Sequence, residues 1–198
     1  MSLKRITITL AAAAALLFPA ARSFAETKVG VKTNLVSDVA LSPNLGAEVG
    51  LAPKWSMELV GQLNLWEISG HSWKHACLLL EPRYWFCERF AGHFVGLHVL
   101  GGTYNFGNLN IPYDFLGSNL KELKDKRYQG WAYGAGVSYG YAWPLAKHWN
   151  IEAELGIGWL HTEFDSYPCT VCGTAIEKDK PHDYFGITKV AVNLVYLF

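Results

Sequence analysis

The segment 184–198 constrains the fold most, because it alternates with a period of two up to the last residue of the chain. From position 190 the even positions form one apolar stripe: Val190, Val192, Leu194, Tyr196 and Phe198. The odd positions carry polar residues such as Lys189 and Asn193. A strand with an apolar face, a mixed face and aromatic residues at its end is typical of the closing strand of a transmembrane β-barrel.

The first residues have the pattern of an export signal. Lys4 and Arg5 precede an apolar stretch at 6–18, and small residues end at Ala25. The apolar stretch is too short for a spanning helix, so we expect a signal peptide at 1–25 and one domain at 26–198. The expected location is the outer membrane of a Gram-negative bacterium.

The charge balance gives no support to one class of partner. Cleavage after Ala25 removes Lys4, Arg5 and Arg22 from the 17 basic residues and removes none of the 17 acidic residues. The remaining chain is slightly acidic, which gives no reason to expect nucleic-acid binding. Charged residues make up 17% of the sequence, which is low for a water-soluble β-sandwich.

Eight alternating segments indicate strands, which we place at 28–39, 44–52, 55–66, 76–86, 92–104, 129–143, 149–162 and 184–198. The connections alternate between short turns and longer loops, apart from a brief first outer connection at 40–43. The predicted fold is all-β, an eight-stranded antiparallel transmembrane β-barrel with short periplasmic turns, longer outer loops and a plugged polar interior.

Aromatic residues lie where the strands would cross the two membrane interfaces. On the seventh predicted strand, Trp149 and Trp159 share a face and are ten residues apart. At a strand tilt of about 45° this spacing is roughly 24 Å along the barrel axis, close to the height of the apolar band. The expected aromatic girdle comprises Trp55, Trp131, Trp143, Trp149, Trp159, Tyr196 and Phe198.

The opposite parity of the strands carries charges into the interior. The expected network consists of Lys32, Glu48, Glu58, Glu81, Arg83, Glu152, Glu154 and Lys189. An eight-stranded barrel is just wide enough to be filled by side chains, so we interpret these charges as an ionic plug. An ion path or a catalytic carboxylate pair is the alternative, which we disfavour because buried charges in so narrow a barrel must pair in any case.

Two further sets of residues suggest chemistry without a defining spacing. Cys169 and Cys172 fall in the last outer loop, where an oxidising compartment favours a disulfide or free thiols over a zinc knuckle. We expect no metal and no cofactor.

Candidates for a catalytic site at the outer rim are His71, Ser72, His75, His161, Glu163 and Asp165. No spacing among them identifies a triad, and we assign no catalytic residue.

Several short motifs together resemble one protein family. They are KTNL (32–35), PNLG (43–46), WKH (73–75), PRYWF (82–86), GHF (92–94), RYQGW (127–131) and GAGVSYG (134–140). They are similar to the domain-of-unknown-function family three-five-seven-five, small outer-membrane β-barrels of Bacteroides-type bacteria. The resemblance implies a barrel often encoded near fimbrial genes, and it brings no catalytic residues.

The sequence therefore favours a non-enzymatic barrel that anchors, adheres or supports surface assembly. Its expected partners are outer-membrane lipid, the barrel-insertion machinery and fimbrial or other surface proteins. A lipid-modifying enzyme with its site at the outer rim is the first alternative, and a narrow pore is the second.

Overall fold

The computed structural model describes residues 29–68, 71–107, 126–168 and 174–198. Nine strands and one short helix, α1, are present in these ranges. The strands are β1 (Val29–Asn34), β2 (Asn44–Ala52), β3 (Trp55–Asn64), β4 (Glu67–Ile68), β5 (His71–Trp85), β6 (Gly92–Gly107), β7 (Arg127–Pro144), β8 (Trp149–Tyr167) and β9 (Glu177–Leu197), and α1 is Leu35–Val39. The signal peptide predicted at 1–25 lies outside the described residues.

Eight antiparallel strands close into a ring, as the alternation predicts. Each strand pairs with its neighbour along the chain, except that β3 pairs with β5, and β1 pairs with β9 to complete the circle. The two-residue strand β4 adds to the end of β5 outside the ring. In the described part of the chain, no helix has the length and hydropathy needed to cross a membrane.

The two ends of the ring differ. The connections at 53–54, 86–91 and 145–148 lie at one end, which we call the turn end, and the opposite end is the loop end. At the turn end the interior is closed by an apolar cluster of Trp85, Phe90, Phe94, Ala142, Val195 and Leu197. Phe90 adopts a left-handed backbone conformation (φ 63°), and Asn150 Nδ2 donates to its carbonyl over 2.6 Å, which holds the turn beneath the cluster.

The strands are unequal in length. β1, β2 and β3 have 6, 9 and 10 residues, whereas β5 to β9 have between 15 and 21. The longer strands therefore project beyond the shorter ones at the loop end.

The first predicted strand, 28–39, is wrong beyond Asn34, where helix α1 begins. The side chain of Asn34 accepts a hydrogen bond from Val36 N over 3.1 Å and so acts as the N-cap of the helix. The predicted loops 67–75, 105–128 and 163–183 are also too long, since β5, β6, β8 and β9 extend into them. Polar residues occupy both faces of these extensions, so the apolar alternation that indicates a strand is absent there.

Candidate functional site: a buried charge network

The eight charged residues expected in the interior all lie there. They come from six strands, β1, β2, β3, β5, β8 and β9, and each is at most 9% exposed. Their side chains face inward because strand pleating sends alternate residues to opposite faces of the sheet. The network therefore links the first, middle and last strands of the ring.

Arg83 is the centre of the network, because its guanidinium contacts all five carboxylates. Nε lies 2.7 Å from Glu81, Nη1 lies 2.8 Å from Glu48 and 3.1 Å from Glu152, and Nη2 lies 2.6 Å from Glu154 and also contacts Glu58. The planar guanidinium has five donors and suits such multiple contacts better than an ammonium group does.

The two lysines flank this centre. Lys32 Nζ lies 2.8 Å from Glu152 and also pairs with Glu48. Lys189 Nζ lies 3.2 Å from Glu58, 3.0 Å from Glu81 and 2.9 Å from Glu154. Each lysine therefore has more than one carboxylate partner, as a buried charge requires.

Among the described residues, one group has a spacing that could hold a metal ion, and it consists of the three carboxylates that contact Lys189. Oxygen atoms of Glu58, Glu81 and Glu154 lie within 4.8 Å of one another. However, the ammonium of Lys189 lies within 3.2 Å of each carboxylate, so the cation of this group is already supplied by the chain. The donor set thus gives no reason to assign a metal here.

Hydroxyl and imidazole groups extend the network. Ser138 Oγ donates to Glu81 over 3.1 Å, Ser56 donates to Glu48, and Trp85 Nε1 donates to Ser56 over 2.8 Å. His98 is fully buried, with Nε2 2.8 Å from Thr188 Oγ1 and Nδ1 3.5 Å from Glu81. Thr188 was missed by the sequence analysis because it occupies a β-bulge in β9, which alternation does not reveal.

Inward glycines on β6 and β7 make room for large side chains of the neighbouring strands. A Cβ atom on Gly96 would lie 2.5 Å from the Glu81 carboxyl group, and one on Gly140 would lie 2.3 Å from the Phe94 ring. These glycines leave room for large side chains on the adjacent strands, Glu81 of β5 beside Gly96 and Phe94 of β6 beside Gly140.

The residues expected in the girdle stand on the outer surface of the ring. Trp55, Trp143, Trp149, Tyr196 and Phe198 are near the turn end, and Trp131 and Trp159 are nearer the loop end. All are at least 39% exposed except the half-buried Tyr196. Large aliphatic side chains, including Leu97, Val137 and Leu155, lie between the two sets and are more than half exposed.

The structure does not bring the rim candidates together into a triad. His161 Nδ1 lies 2.9 Å from Asp183 Oδ1, and no other hydrogen-bond partner of His161 occurs in the described residues. Ser72 instead donates to the Asn105 carbonyl. His75, Glu163 and Asp165 line a cleft of about 400 Å³ on the projecting strands.

The side chain of His71 and the loop containing Cys169 and Cys172 are outside the described part of the structure. The loop disulfide therefore stays a prediction. Cys77 and Cys87 are free thiols, consistent with their wide separation along β5 and the turn that follows.

A protein-family model matches the sequence. The family model described as "Protein of unknown function (DUF3575)" matches residues 7–198, almost the whole chain. No curated protein matches the sequence.

Proposed function

The chain belongs to the DUF3575 family, and we propose that it is an outer-membrane β-barrel that anchors projecting strands at the cell surface and takes part in adhesion or assembly there. The observation that carries this proposal is the reversal of the usual polarity of a folded protein. Charged residues fill the interior, while large apolar side chains such as Leu97 and Val137 cover the outside. Such a surface suits a hydrocarbon solvent, and the pairing of β1 with β9 closes the ring where the strands begin and end.

The positions of the aromatic residues support this orientation. Trp149 and Trp159 lie on one outer face of β8, separated by roughly the height of an outer-membrane apolar band. The turn end would face the periplasm, and the longer strands would project from the outer surface. The lipid, the insertion machinery and surface proteins, fimbrial ones included, are the proposed partners.

The filled interior supports an anchor rather than a pore. Arg83 and its five carboxylates occupy the middle of the ring, and the apolar cluster around Trp85 closes the turn end. We expect no stable conductance in planar bilayers. The rim gives little support to a lipid-modifying enzyme, because the described residues place no nucleophile beside His161. An unchanged acyl pattern in the outer-membrane lipid of a deletion strain is the expected result.

Quenching of tryptophan fluorescence by brominated lipids tests membrane embedding. A Trp at Val137 would lie midway along the outer wall, and a Trp at Asn105 would lie on the projecting part of the same outward face. Mid-chain bromines should quench the additional fluorescence of Val137→Trp strongly and that of Asn105→Trp weakly. Equal quenching of the two variants, or none of either, would refute the proposal.

A further inference from the structure

Strand β9 has an unpaired edge at the loop end. It pairs with β8 along almost its whole length, but β1 pairs with it only over Asn193 to Leu197. The chain then leaves this edge through helix α1, which lies against β9. Above that point, no described strand covers the side of β9 that faces away from β8.

The hydrogen bonds of β9 identify which residues present their backbone to this side. Near the C-terminus the even residues do so, since Phe198 N donates to Val29 O and Val192 N donates to Asn34 Oδ1. The β-bulge at Thr188 shifts the alternation by one residue. Beyond the bulge, the odd residues Asp183, Phe185 and Ile187 therefore point their amides and carbonyls away from β8.

Pro181 agrees with this assignment. It continues the same odd series within β9 and pairs with Glu163 of β8. Proline has no N–H, so it is tolerated in a strand where that group would not serve the ladder. Pro181 also ends the series of available donors. Prolines and charges at the edges of natural sheets limit open-ended association in the same way.

The resulting slot is short and has a defined chemistry. We define it as the edge at 183–187, between Pro181 and the bulge at Thr188. Ile187 O already accepts a hydrogen bond from the Tyr184 hydroxyl, which leaves the Phe185 amide and carbonyl at the centre of the slot. The Phe185 side chain is 74% exposed beside them. The Asp183 carboxylate at the outer end is exposed, although its Oδ1 already accepts from Trp159 Nε1 over 3.0 Å and lies 2.9 Å from His161 Nδ1.

We propose that this edge binds an extended polypeptide segment of another protein by β-strand addition. Only an extended backbone offers donors and acceptors at the spacing of a strand edge. Charge complementarity with Asp183 favours a segment with a lysine or arginine at that end, and Phe185 favours an apolar residue beside it. This inference rests on the proposed role in surface assembly, and it adds to that role a class of partner and a binding site.

Phage display provides a direct test with a known probe. A random dodecapeptide library is panned against the purified folded chain in detergent micelles, with counter-selection on Phe185→Pro. That variant removes one edge N–H, and the strand already accepts proline at position 181 of the same series. Phe185→Leu is the matched control, because it keeps the N–H and an apolar side chain.

We expect alternating apolar peptides with a basic residue to be enriched. Their affinity should fall about tenfold or more in Phe185→Pro, the effect of one lost hydrogen bond with its partner left unsatisfied, and change little in Phe185→Leu. Recovery of no peptide above background, or equal binding to all three proteins, would overturn the proposal.

Two further measurements keep the test independent of the folding of the proline variant. N-methylation of alternate residues of a selected peptide should abolish its binding to the unmodified chain, and the Phe185 amide should become protected from hydrogen exchange when the peptide binds. Failure of both would also overturn the proposal. Failure here together with mid-membrane quenching of Val137→Trp would remove the docking site and leave the proposed membrane anchor intact.

Discussion

The side chain of Asn44 forms two hydrogen bonds with the backbone of Asn34. Asn44 Oδ1 accepts from Asn34 N over 2.7 Å, and Asn44 Nδ2 donates to Asn34 O over 3.1 Å. The side chain of Asn34 does the same to β9, bonding Val190 O over 3.0 Å and Val192 N over 3.1 Å. Two amide groups thus continue the sheet ladder on both sides of β1 at the residue where that strand ends.

This arrangement predicts a local effect of Asn44→Ala. Loss of the acceptor should leave the Asn34 amide without its partner and lower the free energy of unfolding by about 1–2 kcal/mol. Hydrogen exchange of the Asn34 amide should accelerate, while exchange in β7 should not change. Gln129→Ala removes an exposed amide whose bond from Asn105 is long, at 3.4 Å, and is the control. Unchanged exchange at Asn34 would contradict the prediction.

Replacement of the central guanidinium should destabilise the whole ring. Arg83→Met leaves five buried carboxylates with only the two lysines, and breaking a buried ion pair costs on the order of 3 kcal/mol or more. Denaturant titration in detergent measures the loss. Lys74→Met, which breaks an exposed pair with Glu67, is the control and should cost far less. A loss below about 0.5 kcal/mol for Arg83→Met would mean that water solvates the network.

The C-terminal residue should be needed for assembly. Phe198 N donates to Val29 O over 2.9 Å, and its ring packs edge-on against Tyr196 at 5.0 Å. Deletion of Phe198 removes this contact between the last and first strands and shortens the apolar stripe of β9. The heat-modifiable folded fraction on gels should fall, whereas Phe198→Trp should preserve it. An undiminished folded fraction after the deletion would contradict this role.

The pair formed by Glu67 and Lys74 predicts a titration. The hydrogen bond from Lys74, over 2.7 Å, holds the pKa of Glu67 below its usual value. A carboxyl group with a lowered pKa in the folded state stabilises above its unfolded pKa and loses this contribution as the pH falls through the folded pKa. Carboxyl NMR should show the Glu67 pKa rising toward its ordinary value in Lys74→Met. An identical titration in the two proteins would show that the pair does not persist in solution.

Alternation alone was sufficient to place the interior charges. Glu81 and Arg83 share parity on one strand, so either both or neither face inward. The interior of an eight-stranded ring takes one face of each strand, and the apolar residues that alternate with these two charges take the outer face. Their partners across the ring could not be predicted, because these depend on strand register. The bulge at Thr188 changes that register without any mark in the alternation.

The sequence analysis failed where local signals conflict. Leu35 and Val36, which follow β1, are residues that favour a strand, yet Asn34 before them is a strong N-cap. The helix forms because the Asn34 side chain caps it and also bonds β9. At the projecting ends, residues such as Lys74 and Lys180 are polar on a surface that faces water on both sides. Burial no longer selects a face there, so no periodicity remains to be detected.

The distribution of the buried charges over six strands also bears on the order in which the molecule can form. Lys32 of β1, Arg83 of β5 and Lys189 of β9 each neutralise acids from strands that are distant in sequence. A partly closed intermediate that already excluded water would hold carboxylates without their cations, at a cost of several kcal/mol for each. We therefore expect closure of β9 against β1 to be cooperative, because it brings the cations and carboxylates of six strands together in one step.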